Sequence, residues 1–196
     1  MRFLVPALVA LLLQDPQPAA QPLVRLKEGM AWTYVTNSVE GKVKVTGKEK
    51  IGEVEAFVLT TEMGDSKSER EFIVSDAAGI RMLRQASGDR VTEYAQPFIR
   101  LKLPAAKGDT WEWKGDVGKE KVAVAFTNDG EEEITVPAGK YKAWKVSAVA
   151  EIGAVKHAGS NWFAPGVGLV RQESRFESGG KKHENVIELK SFEPGP

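Results

Sequence analysis

From Trp32 onward the chain alternates apolar and polar residues with a period of two. Val43 and Val45 alternate with Lys42 and Lys44, and Val122, Val124 and Phe126 alternate with Lys121, Ala123 and Ala125. Farther on, Ile134 and Val136 flank Thr135. Such alternation predicts half-buried β-strands with one wet face. The segments are punctuated by Asn128-Asp129-Gly130, Pro137-Ala138-Gly139, Pro165-Gly166 and Gly179-Gly180, which supply the fixed or positive φ of a chain reversal. Gly179-Gly180, between Leu169–Glu177 and Lys182–Leu189, reads as a two-residue hairpin. Ser75–Leu83 could hold one helical turn, but Gly79 inside it favours strand–turn–strand. The expected fold is all-β, a strongly curved antiparallel sheet or partial barrel of about ten strands.

The same pattern recurs in two halves. Gly29-Met30-Ala31-Trp32-Thr33-Tyr34 parallels Gly108-Asp109-Thr110-Trp111-Glu112-Trp113, and Glu55-Ala56-Phe57-Val58-Leu59 parallels Lys142-Ala143-Trp144-Lys145-Val146. Phe72–Ile80 likewise parallels Trp162–Leu169. The offsets are 79 (Gly29 to Gly108), 87 (Ala56 to Ala143) and 89 (Gly79 to Gly168), so the second half carries longer loops. This predicts one β domain over residues 21–196 with repeat halves of about 24–95 and 105–193, each covering the other's open apolar face.

The first residues break the alternation. Arg2 is the only charge before Asp15, and Phe3–Leu13 is an apolar run of 11 residues. That length suits the core of a signal peptide and falls short of the roughly 20 residues of a spanning helix. Pro18-Ala19-Ala20 offers small residues for cleavage after Ala20; cleavage one residue earlier and retention as an anchor stay open. Residues 1–20 are thus expected to be a signal peptide, and the mature chain is expected to be periplasmic or secreted, with no membrane span.

Composition narrows the function classes. The 196 residues carry 27 basic and 27 acidic side chains, and removal of Arg2 and Asp15 with the leader leaves 26 of each. Such a balance lacks the basic footprint of nucleic-acid binders. There is no cysteine, which excludes disulfides, thiol nucleophiles, cysteine-ligated metals and lipid attachment.

The stretches Ile134-Thr135-Val136-Pro137-Ala138-Gly139-Lys140-Tyr141-Lys142-Ala143-Trp144-Lys145-Val146 and Trp162-Phe163-Ala164-Pro165-Gly166-Val167-Gly168-Leu169-Val170-Arg171 resemble those of exported bacterial β-rich domains of unknown function. These carry a V-P-A-G-x-aromatic turn and a closing W-aromatic-A-P-G-V-G-L-V strand. The resemblance, together with Leu103-Pro104 and Gly108–Trp111, spans most of residues 24–193. It implies a curved sheet or partial barrel outside the cytoplasm and no catalytic residues. Many such domains are lipid-anchored, and here this chain departs from them. In Ala164-Pro165-Gly166-Val167, proline fixes one φ and glycine permits the positive φ of a type II turn, so the motif reads as sheet-bending hardware.

Little else carries chemistry. His157 and His183, the latter beside Glu184, lie among Lys, Gly and Glu and read as exposed strand ends. Asn128-Asp129-Gly130-Glu131-Glu132-Glu133 gathers acidic oxygens, but Val124 and Phe126 occupy earlier ligand positions of a calcium loop. A hairpin turn followed by a charged strand end is the simpler reading. No nucleophile elbow or phosphate loop occurs. No metal, cofactor or catalytic residue is therefore expected. The five tryptophans offer the best candidate surface. Trp111, Trp113, Trp144 and Trp162 either fill the core or line a groove for an apolar ligand, and Trp111 and Trp113, two apart, share a face. Two readings lead. A non-enzymatic scaffold or interaction module for an envelope protein predicts compact packing; a carrier or sensor of a lipid or other apolar small molecule predicts a void. An enzyme would need His157 and His183 to approach a carboxylate cluster.

Overall fold

In the computed structural model, residues 21–37, 39–63, 68–118, 120–152, 155–178 and 180–196 are described. The expected signal segment, residues 1–20, lies outside them, as does Gly179 of the expected Gly179-Gly180 turn. The strands of the first half are β1 (Ala31–Thr36), β2 (Val39–Ile51), β3 (Val54–Met63), β4 (Glu69–Asp76), β5 (Gly79–Ser87) and β6 (Arg90–Lys102). Those of the second are β7 (Thr110–Val117), β8 (Glu120–Val136), β9 (Gly139–Ile152), β10 (Val155–Ala164), β11 (Gly168–Ser178) and β12 (Lys181–Glu193).

All twelve belong to one antiparallel sheet in the order β6-β5-β4-β3-β2-β1-β12-β11-β10-β9-β8-β7. Within each half every strand pairs with its sequence neighbour, and β1 closes onto β12. The chain therefore forms a meander wrapped almost into a barrel; among the described residues its one seam without backbone pairing lies between β6 and β7. The curved all-β sheet expected from the alternation is what the chain adopts, with twelve strands rather than ten. One expected feature is corrected. Asn128-Asp129-Gly130 is not a chain reversal but a bulge inside β8, where Asn128 pairs with Val146 and Gly130 with Lys145. Gly130 has a φ of 103°, and bulge and turn draw on the same residue types.

Bulges supply the curvature. Extra residues sit at Thr46 on β2, Leu83 on β5, Arg100 on β6, Val170 on β11 and Lys190 on β12. Each bends its strand and re-aims a side chain. On β6 the register also jumps from Met82–Phe98 to Arg84–Glu93, so that Pro97 falls where no ladder N–H is required. The Ala164–Val167 turn is as the sequence predicts: Gly166 has a φ of 76° and the Val167 amide donates to the Ala164 carbonyl at 3.2 Å.

Residues from both halves build one core, including Trp32, Val45, Ile73 and Leu101 from the first and Val124, Phe126, Val146 and Phe163 from the second. A smaller cluster of Ala56, Phe72, Leu83 and Ala86 lies apart.

Candidate functional site

Strand alternation decides what faces the inside of the wrap. On β4, Glu71 and Ile73 point inward and Phe72 outward; on β10, Asn161 and Phe163 point inward and Trp162 outward. The inward side chains do not fill the space. They border a partly open cavity of about 480 Å³, with a smaller one of about 110 Å³ beside it. The larger has an apolar wall that includes Val43, Phe98, Val124, Phe126, Phe163 and Leu169. Its room comes from small residues at inward positions, Gly41, Ala148 and Ala150. At Gly159 a Cβ would sit 2.6 Å from the Glu173 carbonyl oxygen, so this position is held to glycine by a neighbouring backbone.

A polar layer formed by Tyr34, Glu71 and Arg100 lines both cavities. Arg100 enters because it is the extra residue of the β6 bulge. Its Nη1 donates to Glu71 Oε2 at 3.0 Å, its Nη2 donates to Glu71 Oε1, and Nη2 also lies 3.4 Å from Met82 Sδ. This two-point geometry is the strong form of a guanidinium–carboxylate pair. Burial works against the Arg100 charge, but the charge and hydrogen bonds of Glu71 outweigh it, and its pKa is raised. Tyr34 donates its hydroxyl to the Leu169 carbonyl at 2.9 Å. Burial, reinforced by the Glu71 charge and opposed by Arg100, pushes the Tyr34 pKa well above that of a free tyrosine. Above this layer, Asn161 and Gln172 pair across β10 and β11 and also line the larger cavity.

The four candidate tryptophans stand elsewhere; among the described residues none lines either cavity. Trp111 and Trp113 bridge the seam, donating their indole N–H to the carbonyls of Ile99 at 3.0 Å and Gln96 at 2.9 Å. Trp111 stacks on Phe126 at 5.2 Å, and Trp113 meets Phe98 and Tyr94 edge-on at 5.3 and 5.5 Å. Trp144 is half-buried against the main core. Trp162, buried on the outer face, lies under Lys145 and Arg171 and donates to Glu132 at 2.6 Å. The fifth, Trp32, lines the smaller cavity and donates to the Val167 carbonyl at 2.8 Å.

The histidines are joined by an aromatic. His157 and His183 stack on opposite sides of Phe176, at 5.3 and 4.8 Å, in one row across β10, β11 and β12. His157 lines the larger cavity. Among the described residues, no group of three or more histidine and carboxylate side chains is placed to hold a metal ion. The acidic stretch is dispersed: Asp129 accepts from Ser147, Glu131 pairs with Lys142, and Glu132 holds Trp162. Asn128 is fully buried, with its Oδ1 accepting from the Gly130 amide at 2.9 Å. The polar layer escaped sequence reasoning because local alternation shows neither which face of β4 turns inward nor the bulge that brings Arg100 into the interior.

A search of curated proteins finds no match. The model of a family described as DUF3108-like matches residues 119–185, about a third of the chain, covering β8 to β11 and the start of β12. Two solved structures share the fold over nearly all of it. One is a candidate exported protein from Bacteroides fragilis with a fold described as YmcC-like (TM-score 0.55, 15% identity, 88% of this chain and 99% of that one). The other is a candidate lipoprotein from Parabacteroides distasonis (TM-score 0.54, 14% identity, 92% of this chain and 100% of that one). The chain thus has the fold of these bacterial proteins and, over residues 119–185, the sequence pattern of the DUF3108-like family.

Proposed function

We propose that the protein is an extracytoplasmic carrier or sensor that holds one amphipathic small molecule inside its wrapped sheet. The observation that carries this reading is the cavity of about 480 Å³ bounded by apolar walls and a few convergent polar groups. Such a volume and lining are typical of small-molecule sites. A scaffold has no use for small residues at inward positions, whereas Gly41, Ala148 and Ala150 keep this space open. Binding fits the polar groups better than turnover does, because Arg100 is matched to Glu71 and Tyr34 to a carbonyl. Export is supported by the apolar run Phe3–Leu13 and by the exported and lipoprotein descriptions of the two structural relatives. Among the described residues no helix is long and apolar enough to cross a membrane.

Titration with N-phenyl-1-naphthylamine, a neutral apolar fluorophore, tests the reading. We expect saturable binding at one site, abolished by Ala150→Trp, which fills the cavity, while the folded far-UV spectrum is kept. Native mass spectrometry of the purified protein should also show a co-purifying adduct that organic extraction removes. If delipidated wild-type protein binds no fluorophore, the carrier reading fails and the scaffold reading takes its place.

A further inference from the structure

We infer that the paired Arg100 and Glu71 make the cavity selective for amphiphiles with an uncharged hydrogen-bonding head, such as an alcohol, ester or amide, over fatty-acid carboxylates. This rests on the ligand-binding reading above and names the class of ligand.

An isolated arginine deep in an apolar cavity would be a carboxylate receptor, since the guanidinium fork matches a carboxylate at two points. Here the fork is already taken. Glu71 occupies Nη1 and Nη2 together, and Met82 Sδ packs on Nη2. An incoming carboxylate would place two anions on one half-buried guanidinium. Little else offsets it: among the described residues lining the cavity, Arg100 is the single arginine, no lysine occurs, and His157 is the one other side chain that can carry a positive charge. The acids there outnumber it, with Glu69, Glu71 and Glu173 on the wall. The Glu173 charge is met by Arg171 and Arg175 on β11.

A neutral head meets a different surface. The Glu71 oxygens keep lone pairs, the Tyr34 oxygen can accept, and the amides of Asn161 and Gln172 offer both donors and acceptors. A hydroxyl, ester or amide satisfies these groups without adding charge to a balanced pair. Val43, Phe98, Phe126 and Phe163 then surround its apolar body.

Displacement of bound N-phenyl-1-naphthylamine by ligands of one chain length isolates the head. We expect 1-monolaurin to displace it from wild-type protein at concentrations at least tenfold below those of laurate at pH 8. In Glu71→Gln, which frees Arg100, laurate should gain at least tenfold relative to monolaurin. Gln172→Lys adds a cation to the wall and leaves the pair intact, so it gives the same answer should Glu71→Gln not fold. Equal or tighter binding of laurate by the wild type, or a monolaurin-to-laurate ratio unmoved in both variants, would overturn head-group selection and leave the carrier reading standing. Absence of fluorophore binding to the wild type defeats the carrier reading itself.

Discussion

The residue that best shows how sequence position becomes interior chemistry is Tyr34. It lies on β1 at the closed β1–β12 seam, opposite Leu189, and reaches across the interior to the carbonyl of Leu169. Leu169 stands beside Val170, the extra residue of the β11 bulge. Tyr34→Phe keeps the ring and leaves this half-buried carbonyl without its donor, which costs about 1 kcal/mol at neutral pH. Its pH signature is sharper. Burial first, and then the Glu71 charge, raise the folded-state pKa of Tyr34 above the unfolded value of about 10. The folded state therefore binds the phenolic proton more tightly. The stability linked to that proton is fully present below about pH 10 and is lost as pH rises beyond it. Tyr94 on β6 is shifted in the same direction, again mainly by burial, so it shares the alkaline decline. Urea unfolding at pH 7 and at pH 10.5 should show Tyr34→Phe less stable than wild type at neutrality and with a shallower fall toward alkali. A fall as steep as that of the wild type would show that Tyr34 is not the buried phenol at work.

At the scale of elements, the two seams are held by different means. β1 and β12 share a backbone ladder, whereas β6 and β7 are joined by side chains, the indoles of Trp111 and Trp113 on the carbonyls of Ile99 and Gln96. Those carbonyls are free because β6 is an edge strand with irregular pairing to β5. Trp113→Phe removes one clasp and part of a T-shaped cluster, at a cost of about 1–3 kcal/mol. Hydrogen exchange should show β7 amides along the seam exchanging faster than β1 amides facing β12, with the gap widening in Trp113→Phe. Equal protection at the two seams would mean that backbone pairing closes β6 onto β7. Much of this element layer was legible in the sequence, because alternation marks strands and glycine with proline marks the Ala164–Val167 turn. What local pattern does not reveal is which face turns inward, since both faces of a wrapped sheet carry apolar residues. Phe72 and Trp162 look like core and are buried, yet they lie on the outer face beneath Arg84 and Arg171. The cavity was hidden for the same reason: Ala148 and Ala150 leave space by being small. Trp32 and Trp111 fall on β1 and β7, Ala56 and Ala143 on β3 and β9, Phe72 and Trp162 on β4 and β10, each pair six strands apart. On the outer face Glu49, opposite Ala56, reaches Arg84 beside Phe72, while Glu132, opposite Ala143, reaches Trp162 beside Arg171.

The whole molecule depends on each half completing the other. β1 sends Trp32 and Tyr34 to the carbonyls of Val167 and Leu169 in the second half, and β7 sends Trp111 and Trp113 to those of Ile99 and Gln96 in the first. Phe98 of the first half meets Phe126 of the second edge-on at 5.5 Å, and one continuous core runs through both. A six-stranded half alone would expose the inner face that encloses the cavity, together with two unpaired edges, so its apolar surface would remain in water. The protein should therefore unfold as a single cooperative unit even though its strands pair almost entirely with sequence neighbours. The distribution of tryptophan makes this measurable, since Trp32 is the single indole of the first half and the other four lie in the second. Fluorescence thus weights the second half, while far-UV circular dichroism reports all twelve strands. In urea the two transitions should coincide, and the separate segments 21–103 and 104–196 should each lack the dispersed amide spectrum of a folded domain. Two separated transitions, or a folded 104–196 segment, would show that the second half completes its own core and that the shared interior is an interface between two domains.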